Sequence, residues 1–165
     1  LGSSTVNEKM ADFLNKIKDK DYQVLYITGK SLYEKFISEH QFPSNVKVLP
    51  YLDDLPALLK NADLIITRAG ASTMSEIISL TLPAIFIPSP YVANNHQYYN
   101  ALELKNNHAG ELIEEKDLTS EILIKKINDI LLDPIKYQEI KNNLSKMSMN
   151  NSSEVIYNKL KDLIK

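Results

Sequence analysis

Short apolar runs rich in β-branched residues alternate along this chain with segments whose apolar residues recur at helical spacing. Four of these runs have the length of a strand buried in a sheet: residues 22–28, 46–49, 62–67 and 84–87. Strands that alternate with helices form a parallel, doubly wound sheet. The sequence therefore predicts an α/β fold, with a last short strand over 111–114 and only helices from Thr119 onward.

The first segment with helical spacing follows the loop Gly2–Thr5, and its apolar residues are Val6, Met10, Phe13, Leu14 and Ile17. In a doubly wound sheet a strand precedes such a helix, and we expect it ahead of Leu1, between the strands that start at Tyr22 and Ala62. Without it, both neighbouring strands would have unpaired backbone, so we expect either a preceding segment or marked instability. The start at Leu1 rather than methionine also indicates a piece of a longer protein.

Composition limits the function classes. The 165 residues suit one domain, and 44% hydrophobic with 24% charged residues is ordinary for a globular protein. A formal net charge of -2, from 19 basic and 21 acidic residues, provides no basic field, so we expect no nucleic-acid partner. The lack of cysteine excludes disulfides and thiolate metal sites and fits a reducing compartment.

Ligands of doubly wound sheets bind at the carboxyl ends of the strands. Four loops are predicted at that edge: Gly2–Thr5, Thr28–Lys30, Arg68–Thr73 and Ser89–Gln97. Three of the four glycines of the chain lie on these loops. This edge of the sheet is therefore predicted to bind a phosphorylated ligand.

The junction that follows Arg68, the single arginine of the chain, is the most specific of these loops. Gly70 is predicted to give the backbone freedom that a sharp strand-to-helix turn requires. Thr73 and Glu76 have the spacing of an N-cap and the third helical residue, as in a capping box. The unpaired amides and the dipole at such a helix start favour an anion.

Two side chains at this junction have two possible roles each. Glu76 either completes the capping box or accepts hydrogen bonds from the vicinal hydroxyls of a ribose. Arg68 either clamps a phosphate or pairs with Asp53 or Asp54 and braces the loop, and we favour the bracing role.

Other motifs are less specific. Residues 28–31 are not a P-loop, because Val24 stands where that motif needs glycine. Asp53 and Asp54 suit a helix start better than a phosphoacceptor or magnesium site. A helix start at 94–97 has four adjacent hydrogen-bonding side chains where a cap needs one, and this surplus suits recognition of sugar hydroxyls: Asn94, Asn95, His96 and Gln97.

Three segments together resemble the C-terminal domain of the MurG family, the bacterial N-acetylglucosaminyltransferases that convert lipid I to lipid II. They are ADLIITRAGASTMSEI at 62–77, LPAIFIP at 82–88 and NNHQYYNA at 94–101. The resemblance extends over nearly the whole chain, and Leu1–Ser4 is similar to the end of the glycine-rich loop of that domain.

The resemblance implies one half of a GT-B glycosyltransferase, in which two Rossmann-like domains face each other across a cleft. Residues 1–165 would be a single domain that binds UDP-N-acetylglucosamine, a substrate rather than a cofactor. By position, the Leu52 backbone would contact uracil and Glu76 the ribose, while His96 and Gln97 would contact the sugar. Some members of the family have glutamine in place of His96. The diphosphate would be held by Gly70, Ala71, Ser72 and Thr73.

The implied reaction is inverting transfer of N-acetylglucosamine to the 4-hydroxyl of the muramyl sugar of lipid I, without a bound metal. In this family the general base and the lipid surface belong to the N-terminal domain. We therefore expect no catalytic residue in this chain, weak donor binding and no turnover by the chain alone. The implied location is the cytoplasmic side of the bacterial plasma membrane, with membrane contact only through the other domain. Two alternatives are a separate donor-binding subunit of another lipid-linked glycosyltransferase and a non-catalytic nucleotide-binding module.

Overall fold

The structure, a computed structural model, describes residues 3–148 and 152–163, in which helices and strands follow the predicted alternation. The helices are α1 (Ser4–Lys16), α2 (Tyr33–Glu39), α3 (Leu55–Leu59), α4 (Ala71–Leu80), α5 (His96–Asn106), α6 (Ser120–Leu131), α7 (Pro134–Met147) and α8 (Ser152–Leu163). The strands are β1 (Val24–Ile27), β2 (Val46–Leu49), β3 (Ile65–Thr67), β4 (Ala84–Phe86) and β5 (Glu111–Leu112). Leu1 and Gly2, part of the predicted loop Gly2–Thr5, lie outside the described residues.

All the strand pairs are parallel. β1 pairs with β2, with Val24 opposite Val46. β4 lies between β3 and β5, with Ile65 of β3 opposite Ala84. Because helices connect successive strands of each group, the predicted α/β class with a parallel sheet is confirmed.

The sheet is divided between β1 and β3. In the described residues β1 is hydrogen-bonded only to β2, and β3 only to β4, so each has one unpaired edge. Burial follows this division, since all residues of β1 and β3 are half-buried whereas all of β4 are buried. The break lies where the sequence predicted a further central strand.

The core lies between the sheet and the helices on it. From α1, Phe13 and Leu14 are buried at positions that share one helical face. Helix α1 packs against α6, and α7 packs against both α4 and α6. Buried Ile77 of α4 belongs to the same core cluster as Phe86 of β4. This packing fixes where α4 begins relative to the end of β3.

The sequence alone predicts that the helix which starts at 94–97 runs to about Asn107 and that Gly110 stops it, and the structure differs. Helix α5 ends at Asn106, and His108 adopts the left-handed conformation with φ 51°. Gly110 is instead required by packing, because a Cβ there would lie 3.0 Å from Cε2 of Phe86 and 3.2 Å from the Ala84 carbonyl oxygen. None of the described helices is both long and apolar enough to span a bilayer.

Candidate functional site

Helix α4 begins earlier than the predicted N-cap at Thr73. Gly70 is the N-cap, and Ala71 is the first helical residue. Gly70 has φ -71° and ψ 144°, an extended conformation open to any residue, so the predicted need for glycine's backbone freedom is wrong. A Cβ at Gly70 would meet no atom within 4 Å. The space beside Gly70 is therefore open.

The predicted capping box is also wrong. Since the helix starts at Ala71, Thr73 is its third residue and Glu76 its sixth, too far from the start to cap it. The side chain of Glu76 is exposed and makes no hydrogen bond or ion pair with the described residues. Its carboxylate is therefore free to bind a ligand.

The first three amides of α4 have no helical partner, as at every helix start. They belong to Ala71, Ser72 and Thr73, and no side chain of the described residues caps this end. The surface next to them, at Gly70, is open, and the helix dipole adds roughly half a positive charge at this end of the helix. The geometry suits a phosphate group.

Arg68 stabilises the loops at the carboxyl ends of the strands, which we call the rim, but not through the predicted partners. Its Nη2 donates to Glu115 Oε2 at 2.5 Å and to Ser3 Oγ at 3.0 Å. Its Nη1 donates to the carbonyl oxygens of Ile87 and Pro88, at 3.0 and 3.1 Å. Pairing with an aspartate of the β2–α3 loop is therefore wrong.

Of the two acidic residues of that loop, Asp54 has the helix-start role that the sequence favours. Asp54 caps α3 by accepting a hydrogen bond from the Ala57 amide at 3.0 Å. Leu52, just before this pair, is half-buried, and its backbone makes no hydrogen bond to the described residues. Nearby, the Lys30 ammonium lies 4.5 Å from the centre of the Tyr51 ring, which joins the β1–α2 loop to the β2–α3 loop.

The loop between β4 and α5 has an unusual backbone. Asn94 and Asn95 both have positive φ, 53° and 51°. Residues other than glycine seldom adopt this conformation, although asparagine tolerates it best. Helix α5 starts at His96 without a side-chain cap from the described residues. The four polar side chains predicted at this start are thus not used as caps.

Two of these side chains have part of their hydrogen-bonding capacity in use. His96 is exposed, and its Nδ1 lies 2.9 Å from the Ala93 carbonyl oxygen, a contact in which Nδ1 carries the proton; Nε2 has no hydrogen-bond partner among the described residues. Gln97 Oε1 accepts a hydrogen bond from the Ser89 amide at 2.9 Å. The Gln97 amide nitrogen remains as a donor.

Half-buried Tyr26 and buried Asn7 form a hydrogen-bonded pair next to the end of β1. Tyr26 donates to Asn7 Oδ1 at 2.7 Å, and Asn7 Nδ2 donates to the Thr28 carbonyl oxygen at 3.4 Å. Burial raises the pKa of Tyr26 well above its usual value, and the nearby charge of Arg68 lowers it only in part. The phenol therefore stays protonated and keeps α1 fixed to the end of β1.

Sequence reasoning missed two residues of this network. Glu115, only 6% exposed, lies in the charged run 114–117, which has the composition of a solvated loop. Asn100 Nδ2 donates to the Ala69 carbonyl oxygen at 3.1 Å and so joins α5 to the β3–α4 turn. No local pattern identifies either residue, because both act on segments distant in sequence.

Comparison with known proteins gives a consistent family. Residues 1–156 match the family model of the glycosyltransferase family 28 C-terminal domain. A Pediococcus pentosaceus protein named UDP-N-acetylglucosamine--N-acetylmuramyl-(pentapeptide) pyrophosphoryl-undecaprenol N-acetylglucosamine transferase is 36% identical over 99% of this chain. A Bacillus cereus protein of the same name, numbered 1, is 35% identical over 99% of the chain. The chain spans 46% of the length of each of these relatives.

Solved structures share the fold. Acinetobacter baumannii MurG superposes with a TM-score of 0.75 at 24% identity, over 98% of this chain and 47% of that one. The glycosyltransferase VinC, solved in complex with dTDP, superposes with a TM-score of 0.71 at 22% identity, over 90% of this chain and 35% of its own. The likeness shows that the fold is that of one domain of a GT-B glycosyltransferase.

Proposed function

Because this chain belongs to the glycosyltransferase family 28 C-terminal domain family, we propose that it is the donor-binding half of an inverting N-acetylglucosaminyltransferase. The donor is UDP-N-acetylglucosamine, and the acceptor is the muramyl sugar of lipid I. The names of the Pediococcus and Bacillus relatives support this substrate pair. Since the chain spans under half of each relative, the acceptor site is assigned to the remainder of the enzyme.

The observation that carries the proposal is the start of α4. Its amides are uncapped, the space in front of Gly70 is open, and the free Glu76 carboxylate lies less than two turns along the same helix. A nucleoside diphosphate fits this combination, because its phosphates need amide donors and its ribose needs a hydrogen-bond acceptor.

The donor is therefore placed with its diphosphate against Ala71, Ser72 and Thr73. Glu76 accepts hydrogen bonds from the two ribose hydroxyls. The free backbone groups of Leu52 contact the uracil edge.

The sugar extends toward the β4–α5 loop. The Gln97 amide nitrogen donates to a sugar hydroxyl, since its oxygen is held by the Ser89 amide. His96 offers Nε2, an acceptor when the ring is neutral, because Nδ1 is held by the Ala93 carbonyl. This division gives each side chain one group for the protein and one for the ligand.

In the reaction, the acceptor hydroxyl attacks the anomeric carbon as the bond to the UDP oxygen breaks, which inverts the configuration. Negative charge grows on the leaving diphosphate as the reaction proceeds. The fixed amides at the α4 start therefore stabilise the transition state more than the ground state. The proton of the attacking hydroxyl passes to a base outside this chain. The chain alone therefore binds the donor without turnover.

The lipid acceptor also places the complete enzyme at the cytoplasmic face of the plasma membrane, with contact made by the other domain.

Calorimetry tests the proposal. UDP and UDP-N-acetylglucosamine should both bind the 165-residue chain, and GDP-mannose should bind at least tenfold more weakly, because the base contact at Leu52 fits uracil. Equal affinity for all three would favour a general nucleotide-binding module. Turnover of lipid I by this chain alone would contradict the division of labour.

A further inference from the structure

We infer that Glu115 is a positioning residue for the sugar half of the donor and that it acts through Arg68. This inference rests on the proposed function, in which UDP contacts the α4 start and the sugar contacts the β4–α5 loop. These two parts of the site belong to different loops, so their relative position decides whether one donor reaches both.

Arg68 joins these loops directly. It lies between β3 and α4, two residues before Gly70, and its Nη1 binds the carbonyl oxygens of Ile87 and Pro88 at the end of β4. Ser89 follows at once, and its amide holds Gln97. A displacement of the guanidinium therefore moves the loop that carries the sugar contacts relative to α4.

Glu115 fixes the guanidinium in that position. Its side chain is 6% exposed and that of Arg68 is 29% exposed, so the pair is largely shielded from solvent. The backbone of Glu115 is held as well, because Lys9 Nζ donates to its carbonyl oxygen at 2.5 Å. The carboxylate thus acts from a fixed point on the segment after β5.

Both terminal nitrogens of the Arg68 guanidinium, Nη1 and Nη2, already donate to acceptors of the protein rather than to a phosphate. Nη1 binds two carbonyl oxygens, and Nη2 binds Glu115 and Ser3. An arginine with both terminal nitrogens bound to the protein positions its surroundings rather than the ligand.

The inference makes a prediction that distinguishes the two halves of the donor. Removing the carboxylate should weaken UDP-N-acetylglucosamine, which spans both loops, more than UDP, which contacts only one. A purely structural role would weaken both ligands equally or lower stability alone.

The experiment measures both affinities by calorimetry in the 165-residue chain and in Glu115→Ala and Glu115→Gln. We expect Glu115→Ala to lose about tenfold for UDP-N-acetylglucosamine, the effect of about one hydrogen bond, and less than about twofold for UDP. Glu115→Gln keeps an oxygen acceptor for Arg68 and should restore most of the loss.

Glu111→Ala is the matched control. Glu111 is also a largely buried glutamate, 17% exposed, and binds Lys126 at 2.6 Å and Lys136 at 2.8 Å. Within the described residues, the side chains of these three residues form no hydrogen bond or ion pair with the loops of the site, so this variant should lower the melting temperature without changing the ratio of the two affinities. If Glu115→Ala does not fold, Arg68→Lys serves instead, because lysine keeps the charge but cannot bind both carbonyls and the carboxylate.

Equal losses for both ligands in Glu115→Ala would overturn the inference and leave the proposed function standing. So would a gain in UDP affinity, which would mean that the released Arg68 binds phosphate. If the unmodified chain bound neither ligand, the proposed function would fail and the inference with it.

Discussion

Helices α4 and α7 differ in how the unpaired backbone amides of their first turns are treated. At the start of α7, the Asp133 carboxylate accepts hydrogen bonds from the amides of Ile135 and Lys136, at 2.9 and 3.1 Å. At the start of α4 the equivalent position is Gly70, which has no side chain to offer. In α7 a side chain of the protein accepts hydrogen bonds from the first amides. In α4, at the carboxyl end of the strands, the first amides remain available to a ligand.

Lack of a cap is not sufficient by itself to identify a site. Helices α2 and α5 also start without a side-chain cap from the described residues. What distinguishes α4 is the combination of open space at Gly70 with the unpaired carboxylate of Glu76. Packing of Met74 and Ile77 into the core keeps this helix in place without a cap.

Giving α4 the cap that α7 has should produce the largest effect. Gly70→Asp places a carboxylate against the free amides, where it both occupies them and repels a diphosphate. We expect a loss of roughly 100-fold or more in UDP affinity, the cost of one to two charge-assisted hydrogen bonds. The same variant should raise the free energy of unfolding by about 0.5 kcal/mol. Calorimetry measures the UDP affinity, and urea unfolding measures the free energy of unfolding. Lower stability with intact UDP binding would contradict the view that the α4 amides are free for a ligand.

Removing the free carboxylate of α4 should have the next largest effect. Glu76→Ala should weaken UDP binding by about tenfold, because a charged acceptor for the ribose hydroxyls is lost. Stability should change by less than about 0.5 kcal/mol, as expected for an exposed residue without partners. With 2′-deoxy-UDP the loss should be smaller. An equal loss with both nucleotides would mean that Glu76 does not contact the 2′-hydroxyl.

The reverse change, removing the cap of α7, should affect stability alone. Asp133→Ala should lower the free energy of unfolding by about 1 kcal/mol, since two amides lose their acceptor. UDP affinity should stay the same. A drop in UDP affinity comparable to that of Gly70→Asp would show that caps act on binding through global stability.

A pH titration of stability should give the smallest effect and place it away from the site. Burial would raise the pKa of Glu111, but hydrogen bonds from Lys126 and Lys136 outweigh it and hold the pKa below 4.5. A carboxyl group with a lowered folded pKa stabilises the fold above its unfolded pKa and loses that contribution as pH falls. Between pH 5 and 3 we expect Glu111→Gln to remove a pH-dependent part of the free energy of unfolding, below about 1 kcal/mol. An unchanged slope would contradict the ion-pair assignment.

The sequence predicts the framework of α4 and its surroundings because the signals are local. The apolar run of β4 and the helical spacing of Met10, Leu14 and Ile17 each identify an element from neighbouring residues alone. The start of α4 was missed because Gly70 and Thr73 both suit an N-cap, and local spacing favoured the second.

What the sequence could not predict depends on contacts between distant segments. Arg68 and Glu115 are separated by 47 positions, and only the assembled rim brings them together. The sequence predicts a local role for Gly110 in ending α5, whereas the close approach of the Phe86 ring explains why glycine is needed there. The binding role proposed for the α4 amides can be predicted from the sequence, because the first amides of any helix lack a helical partner.

The central claim is that the free amides of α4 hold the diphosphate of a nucleotide sugar. Titration of UDP and UDP-N-acetylglucosamine into the isotopically labelled chain, followed through backbone amide shifts, tests it most directly. We expect the largest shifts at Ala71, Ser72 and Thr73, with none at the capped amides of Ile135 and Lys136. The absence of any shift between Gly70 and Glu76 at millimolar ligand would contradict the account.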